Sequence, residues 1–201
     1  MTTRTQPSLL RAVDLAPPRL SLSIDRVLQQ PLETLAGRVV QFSGAATLSV
    51  GLYLLYYVQA STRPAAFVTA TRSMIFAPDA QAAGIDLSRL LIVDGATVES
   101  ALRATDVVLR SGQFACVMLD TAAALPLAAL ARWMRLCEQH RAIVGILAPD
   151  ARNSLASTVS LHVHTSVSYS AGGQILQLRV LRSRDGFSDA QVAAYGPAGV
   201  R

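Results

Sequence analysis

The chain has 201 residues, of which 51% are hydrophobic and 15% are charged, and this composition excludes an intrinsically disordered protein. One domain with several buried strands accounts for the length. The formal net charge is +5, and all 18 basic residues are Arg, which excludes any mechanism that needs a lysine ammonium.

The first predicted segment, residues 1–36, is an arm that precedes the core. Proline recurs along it and interrupts any long helix or strand. It has no long apolar stretch, so we expect no signal peptide and a cytoplasmic protein. The uncharged stretch 39–62 is long enough to span a membrane, but its glycines and polar residues favour a buried strand, a turn and a helix.

The core, residues 37–182, begins with a regular alternation of strand and helix patterns. The predicted strands are 38–43, 66–69, 90–93, 114–119 and 142–147. The predicted helices are 48–58, a looser segment that ends at Gly84, 96–111, and an apolar stripe around Trp133 that we expect to be core. Strands that alternate with helices predict right-handed crossovers and a parallel sheet.

The end of the chain has a different pattern. Residues 158–169 and 174–181 are rich in β-formers and flank a glycine pair, which predicts an antiparallel hairpin. The predicted fold is therefore α/β, with a mostly parallel sheet, flanking helices and a C-terminal hairpin. Residues 183–201 are predicted to be a flexible tail.

Cys116 and Cys137 lie within apolar patterns. They are predicted to be small core residues in a reducing compartment rather than a disulfide pair.

The turn at Gly44 lies where a nucleotide-binding loop would be expected. The motif G-x-x-x-x-G-K-[ST] supplies backbone N–H groups that cradle phosphates, a Lys for the β- and γ-phosphates and a hydroxyl for Mg²⁺. Here the chain resembles the RecA recombinase family. Gly44 matches the first Gly, while Ser49 replaces the second Gly, Val50 the Lys and Gly51 the Ser or Thr. The resemblance places the Val50 isopropyl group where the ammonium would face the phosphates.

The resemblance extends over roughly residues 20–185. Asp120, at the end of an apolar strand, matches the Mg²⁺-linked aspartate of the family. Thr71 lies where the family has its catalytic glutamate, and Ala148 and Pro149 lie where a glutamine senses the γ-phosphate. These departures predict a chain that is not an enzyme and has no nucleotide cofactor.

Each candidate site residue also has a structural interpretation. Asp120 can satisfy N–H groups of the following turn, and we favour that over Mg²⁺ binding. His162 and His164 share one face of a strand, but no acid or Cys at suitable spacing completes a metal site, so we expect a structural or surface role and no metal.

The last quarter of the chain is basic, since residues 151–201 contain five Arg and two acids. Arg179, Arg182 and Arg184 either form a basic edge that contacts DNA or an acidic partner, or protect an edge strand from aggregation. The sequence leaves these two interpretations open.

The resemblance is strongest to the ImuA proteins, RecA-like accessory proteins of DNA-damage-induced mutagenesis. It implies that a bacterial protein of this kind works beside RecA and ImuB, a polymerase-like adaptor. We expect it to bind RecA or ImuB by presenting a RecA-shaped surface, with the arm and the tail after Arg182 as the contact segments. The alternative is a SulA-like inhibitor of the tubulin-like division protein, and the least favoured is a divergent DNA-dependent ATPase. A weak direct DNA contact, association with the nucleoid and a homo-oligomer are compatible with the sequence. No membrane association is expected.

Overall fold

The computed structural model describes residues 32–60, 62–70, 75, 77–82, 84–149, 158–170, 173–184 and 190–194. Its helices are α1 (Thr47–Val58), α2 (Ala77–Ala82), α3 (Val98–Arg110) and α4 (Leu127–His140), with short 3-10 turns at Leu32–Leu35 and Leu87–Arg89. Its strands are β1 (Val39–Gly44), β2 (Ala65–Thr69), β3 (Leu90–Asp94), β4 (Cys116–Asp120), β5 (Ile143–Leu147), β6 (Leu161–Ser170), β7 (Gly173–Ser183) and β8 (Ala190–Ala194).

All eight strands form one sheet in the order β3-β2-β4-β5-β1-β6-β7-β8. The six strands from β3 to β6 in that order are parallel, while β7 is antiparallel to both β6 and β8. The predicted α/β class, the mostly parallel sheet and the C-terminal hairpin are confirmed.

Each face of the sheet has its own hydrophobic core. Side chains of α1, among them Val50 and Leu54, pack with one set of strand residues, and side chains of α3 and α4 pack with the other. Trp133 of α4 is fully buried, as its apolar stripe predicted. Cys116 and Cys137 are also buried and unpaired, and burial raises the pKa of the Cys137 thiol to about 12.

Three residues mark the boundaries of helices α3 and α4. Thr97 caps the start of α3 by accepting a hydrogen bond from the Ser100 N–H at 3.2 Å, and Gly112 follows its end with φ +67°. Arg141 ends α4 in the left-handed conformation, with φ 48° and ψ 41°.

The guanidinium of Arg63 joins the ends of both helices. It donates to the carbonyl oxygens of Gly112 at 3.0 Å, Phe114 at 2.6 Å and His140 at 3.1 Å. The planar fork of Arg can reach several carbonyls at once, so one side chain satisfies backbone acceptors at the end of α4 and after α3.

The termini are described only in part. The predicted arm, residues 1–36, lies outside the described residues except for 32–36. Strand β7 continues to Ser183, and β8 lies inside the segment 183–201 that the sequence assigns to a flexible tail. The sequence therefore did not predict β8. None of the described helices is long and apolar enough to cross a membrane.

Candidate functional site

Open sheets of this class bind ligands at the carboxyl ends of their parallel strands. Strands β1, β2, β4 and β5 end side by side, and Thr69, Asp120 and Leu147 are partners in the same register. This edge contains the sequence-predicted residues Gly44 and Asp120, so it is the first place to look for a nucleotide site.

The turn between β1 and α1 is short and tightly packed. Only Ala45 and Ala46 separate Gly44 from the first residue of α1. The Gly44 N–H donates to the Pro149 carbonyl at 3.1 Å, and the Val50 N–H donates to the Ala46 carbonyl at 3.1 Å. These two N–H groups are therefore used within the fold.

The three residues that replace the loop motif lie inside α1. Ser49 is exposed in the first turns of the helix, whereas Val50 is 2% exposed and belongs to the hydrophobic core. A Cβ added to Gly51 would lie 3.0 Å from Leu147 Cδ1, so the helix packs closely on the sheet there. Val50 thus contributes packing, and its side chain does not line an open phosphate site.

Asp120 lies at the carboxyl edge and is only 9% exposed. It shares a face of β4 with Met118, on the α1 side of the sheet. Its carbonyl accepts the Ala70 N–H at 2.9 Å, while the next residue, Thr121, donates its N–H to Leu147 and accepts the Ala123 N–H on its side chain. The turn that follows β4 is therefore held by local hydrogen bonds.

Two further family positions are those of the catalytic glutamate and of the glutamine. Thr71, in place of the glutamate, is outside the described residues. Ala148, in place of the glutamine, is buried and donates its N–H to the Phe42 carbonyl at 2.9 Å. Within the described part of the chain, no group of three or more His, Cys, Asp or Glu side chains could hold a metal ion.

The two strand histidines contact a residue that the sequence did not connect to them. Ser43 Oγ lies 3.0 Å from His162 Nε2 and 3.3 Å from His164 Nδ1. Ser43 is fully buried and His162 is 2% exposed, so a substrate has no access to this serine. Burial and, to a smaller extent, the charge of His164 hold the pKa of His162 below its usual value.

Arg179, Arg182 and Arg184 are all exposed on β7 or directly after it. The register between β6 and β7 shifts between His162 and Val163, with Arg179 opposite His164 and Arg182 opposite His162. The shift leaves one extra residue, Leu181, on β7, which is a β-bulge. In a regular strand, residues three apart point to opposite faces, so the bulge brings Arg179 and Arg182 to the same face.

The edge strand β3 is a surface that the sequence did not identify. Leu91 and Ile92 are 40% and 41% exposed, although they lie on opposite faces of the strand. The apolar run predicts a strand but does not predict its place at the end of the sheet, because strand order depends on long-range pairing.

Comparison with known proteins identifies the family. The family model of the RecA N-terminal domain matches residues 23–168, which include strands β1 to β5, most of β6, the Gly44 turn and Asp120. No curated protein matches the chain.

Proposed function

The chain belongs to the RecA N-terminal domain family, and on that premise we propose that it is an accessory protein without ATPase chemistry. In this proposal it is similar to the ImuA proteins and acts in the DNA-damage response, in translesion mutagenesis. It works by binding RecA or a polymerase-like adaptor of the ImuB kind, in the bacterial cytoplasm.

One observation carries the proposal: the N–H groups of Gly44 and Val50, where the motif has its first Gly and its Lys, are bonded within the fold. A phosphate-binding loop needs free backbone N–H groups that point at the ligand. The Gly44 N–H is instead bound to the Pro149 carbonyl, and the Val50 N–H is bound inside α1.

The residues of α1 that replace the motif support the same proposal. Val50 supplies no cation and is buried in the core, and Gly51 supplies no hydroxyl and packs against Leu147. Asp120, without the Lys and the hydroxyl of the motif, is insufficient to hold Mg²⁺ and ATP together. We therefore propose that the chain is not an enzyme and uses no nucleotide cofactor.

A chain that keeps the RecA fold can act through its shape. It can present a RecA-like surface to RecA itself, or to an adaptor, without contributing ATP turnover. Strand β3 supports this mechanism, because it ends the sheet and exposes Leu91 and Ile92. An exposed sheet edge can accept a strand from another chain through backbone hydrogen bonds.

The test is capture of defined partners by the purified chain. Purified RecA, an ImuB-type adaptor and the tubulin-like division protein are each offered separately to the immobilised chain. We expect capture of RecA or the adaptor. Capture of the division protein alone would replace the proposal with the SulA-like alternative, and capture of none of the three would overturn it.

A variant of the β3 edge makes this test specific. Ile92→Asp adds a charge at an exposed position of the edge strand, which opposes strand addition. Capture through this edge should weaken by about tenfold or more, equivalent to about 1.4 kcal/mol. The matched control is Val107→Asp, which changes an exposed apolar residue of helix α3 instead of the edge strand and should leave capture unchanged.

A further inference from the structure

A groove of about 370 Å³ lies at the amino edge of the sheet, opposite to the edge that ends at Gly44 and Asp120. Its walls come from the segment before β1, the end of α4, the residues before β5 and β6, and the residue after β7. The groove is thus separate from the expected nucleotide edge.

The charged residues that line the groove, among those described, are mostly basic. Arg38, Arg141 and Arg184 are placed around it, and Glu138 is its one acid. Arg141 and Arg184 are exposed, and in the part of the chain that the structure describes, neither side chain takes part in an ion pair. Three guanidinium groups against one carboxylate make a surface that attracts anionic groups.

The basic surface continues beyond the groove. The backbone N–H of Arg184 donates to the Ser160 carbonyl, which fixes the end of β7 beside the groove. Because of the bulge at Leu181, Arg182 and Arg179 share one face of β7, the strand that Arg184 directly follows. A bound chain that leaves the groove along β7 therefore meets further guanidinium groups.

The chemistry of the walls favours a peptide over a nucleic acid. No aromatic side chain is among the described lining residues, whereas proteins that bind single-stranded nucleic acid stack bases on aromatic rings. Glu138 repels a continuous phosphate backbone. Met134 and Ala36 supply apolar contact area between the charges. A carboxylate side chain matches the guanidinium fork, and a peptide can space its carboxylates to avoid Glu138.

We propose that this groove binds an acidic, extended peptide segment of a partner protein. The inference rests on the proposed function, since it names the chemistry that the partner's contact segment must have. Arg141 and Arg184 hold the carboxylates, and Arg182 and Arg179 extend the contact along β7.

The direct test measures binding of a defined probe to the full chain. Fluorescence anisotropy follows a fluorescein-labelled peptide of alternating Glu and Ala, with an oligothymidylate of similar length as the competing probe. The variant Arg141→Glu with Arg184→Glu should weaken peptide binding by about tenfold or more. Binding of the peptide to the unaltered chain should also weaken when the salt concentration is raised from about 50 mM to about 200 mM. Arg141→Gln with Arg184→Gln should show a smaller loss in the same direction.

Arg103→Glu is the control, because it places a reversed charge on α3 at an exposed position outside the groove. It should bind the peptide as the unaltered chain does, and thermal denaturation checks that each variant is folded. Peptide binding that is absent, or unchanged in the double variant, would overturn the inference. Tighter binding of the oligothymidylate through the same arginines would overturn it as well.

Failure of this inference and failure of the proposed function give different results. If the double Glu variant still captures RecA or the adaptor at the unaltered level, the groove is not their contact site and the proposed function stands. If the groove binds the acidic peptide while neither RecA nor the adaptor is captured, the groove inference stands and the proposed function falls.

Discussion

Gly44 and Thr165 are register partners on β1 and β6, and they lie in unusually close contact. A Cβ added to Gly44 would be 2.1 Å from the Thr165 carbonyl oxygen, and Gly44 itself has φ +94°. The close contact and the positive φ each require glycine at this position, independently of any ligand. The glycine that resembles the first residue of a phosphate-binding loop is thus explained without any phosphate.

Gly44→Ala should destabilise the chain by about 3 kcal/mol. The alanine would have to adopt a left-handed conformation, and its Cβ would also clash with the Thr165 backbone. Urea denaturation followed by circular dichroism measures the change. The control Ala45→Ser, at the exposed neighbouring position, should stay within about 0.5 kcal/mol. Equal stability of Gly44→Ala and the unaltered chain would contradict the close contact.

Restoring the motif residues should not restore a nucleotide site. Val50→Lys with Gly51→Thr would place an ammonium in the core and a branched side chain against Leu147, so the loss of stability should be at least about 3 kcal/mol. A malachite-green phosphate assay should detect no ATP hydrolysis by this variant. Hydrolysis by a folded double variant would show that the turn can open around a triphosphate.

Arg63→Lys should cost about 1–3 kcal/mol, although it keeps the charge. One ammonium cannot reproduce the geometry in which the guanidinium reaches Gly112, Phe114 and His140, so backbone acceptors at the helix ends lose their partner. Thermal denaturation compared with Arg135→Lys, an exposed position on α4, tests this. Matching melting temperatures for the two variants would exclude the bridging role of Arg63.

Local sequence patterns predicted most of the individual elements of this fold. Periodicity and turn residues placed β1 to β7 and the helices, because each element repeats its own signal several times. Strand β8 was not predicted, since Ala190–Ala194 has small residues without alternation and is a strand only through its pairing with β7. Short patterns cannot report such long-range pairing.

The candidate sites were predictable to a smaller degree. The order of the family positions led to Gly44 and Asp120, but the burial of Val50 depends on how early α1 begins. The contacts of Ser43 with His162 and His164 join residues more than a hundred positions apart. The bulge that aligns Arg179 with Arg182 likewise depends on the register of two strands rather than on either strand alone.

The buried histidine should make stability depend on pH. Burial lowers the pKa of His162 in the folded chain, so below its ordinary value of about 6.5 the unfolded chain binds a proton that the folded chain does not. The free energy of unfolding should therefore fall as the pH falls through about 6.5 and rise towards about pH 8. His162→Gln, which keeps a polar partner for Ser43, should flatten this dependence in urea denaturation. The same slope in both chains would contradict the account.

The most direct measurement is a calorimetric titration of the full chain with ATP and Mg²⁺. The account predicts no saturable heat of binding at millimolar nucleotide and no phosphate release, because the N–H groups of Gly44 and Val50 are bonded within the fold and no lysine is present. Saturable micromolar binding accompanied by turnover would contradict it.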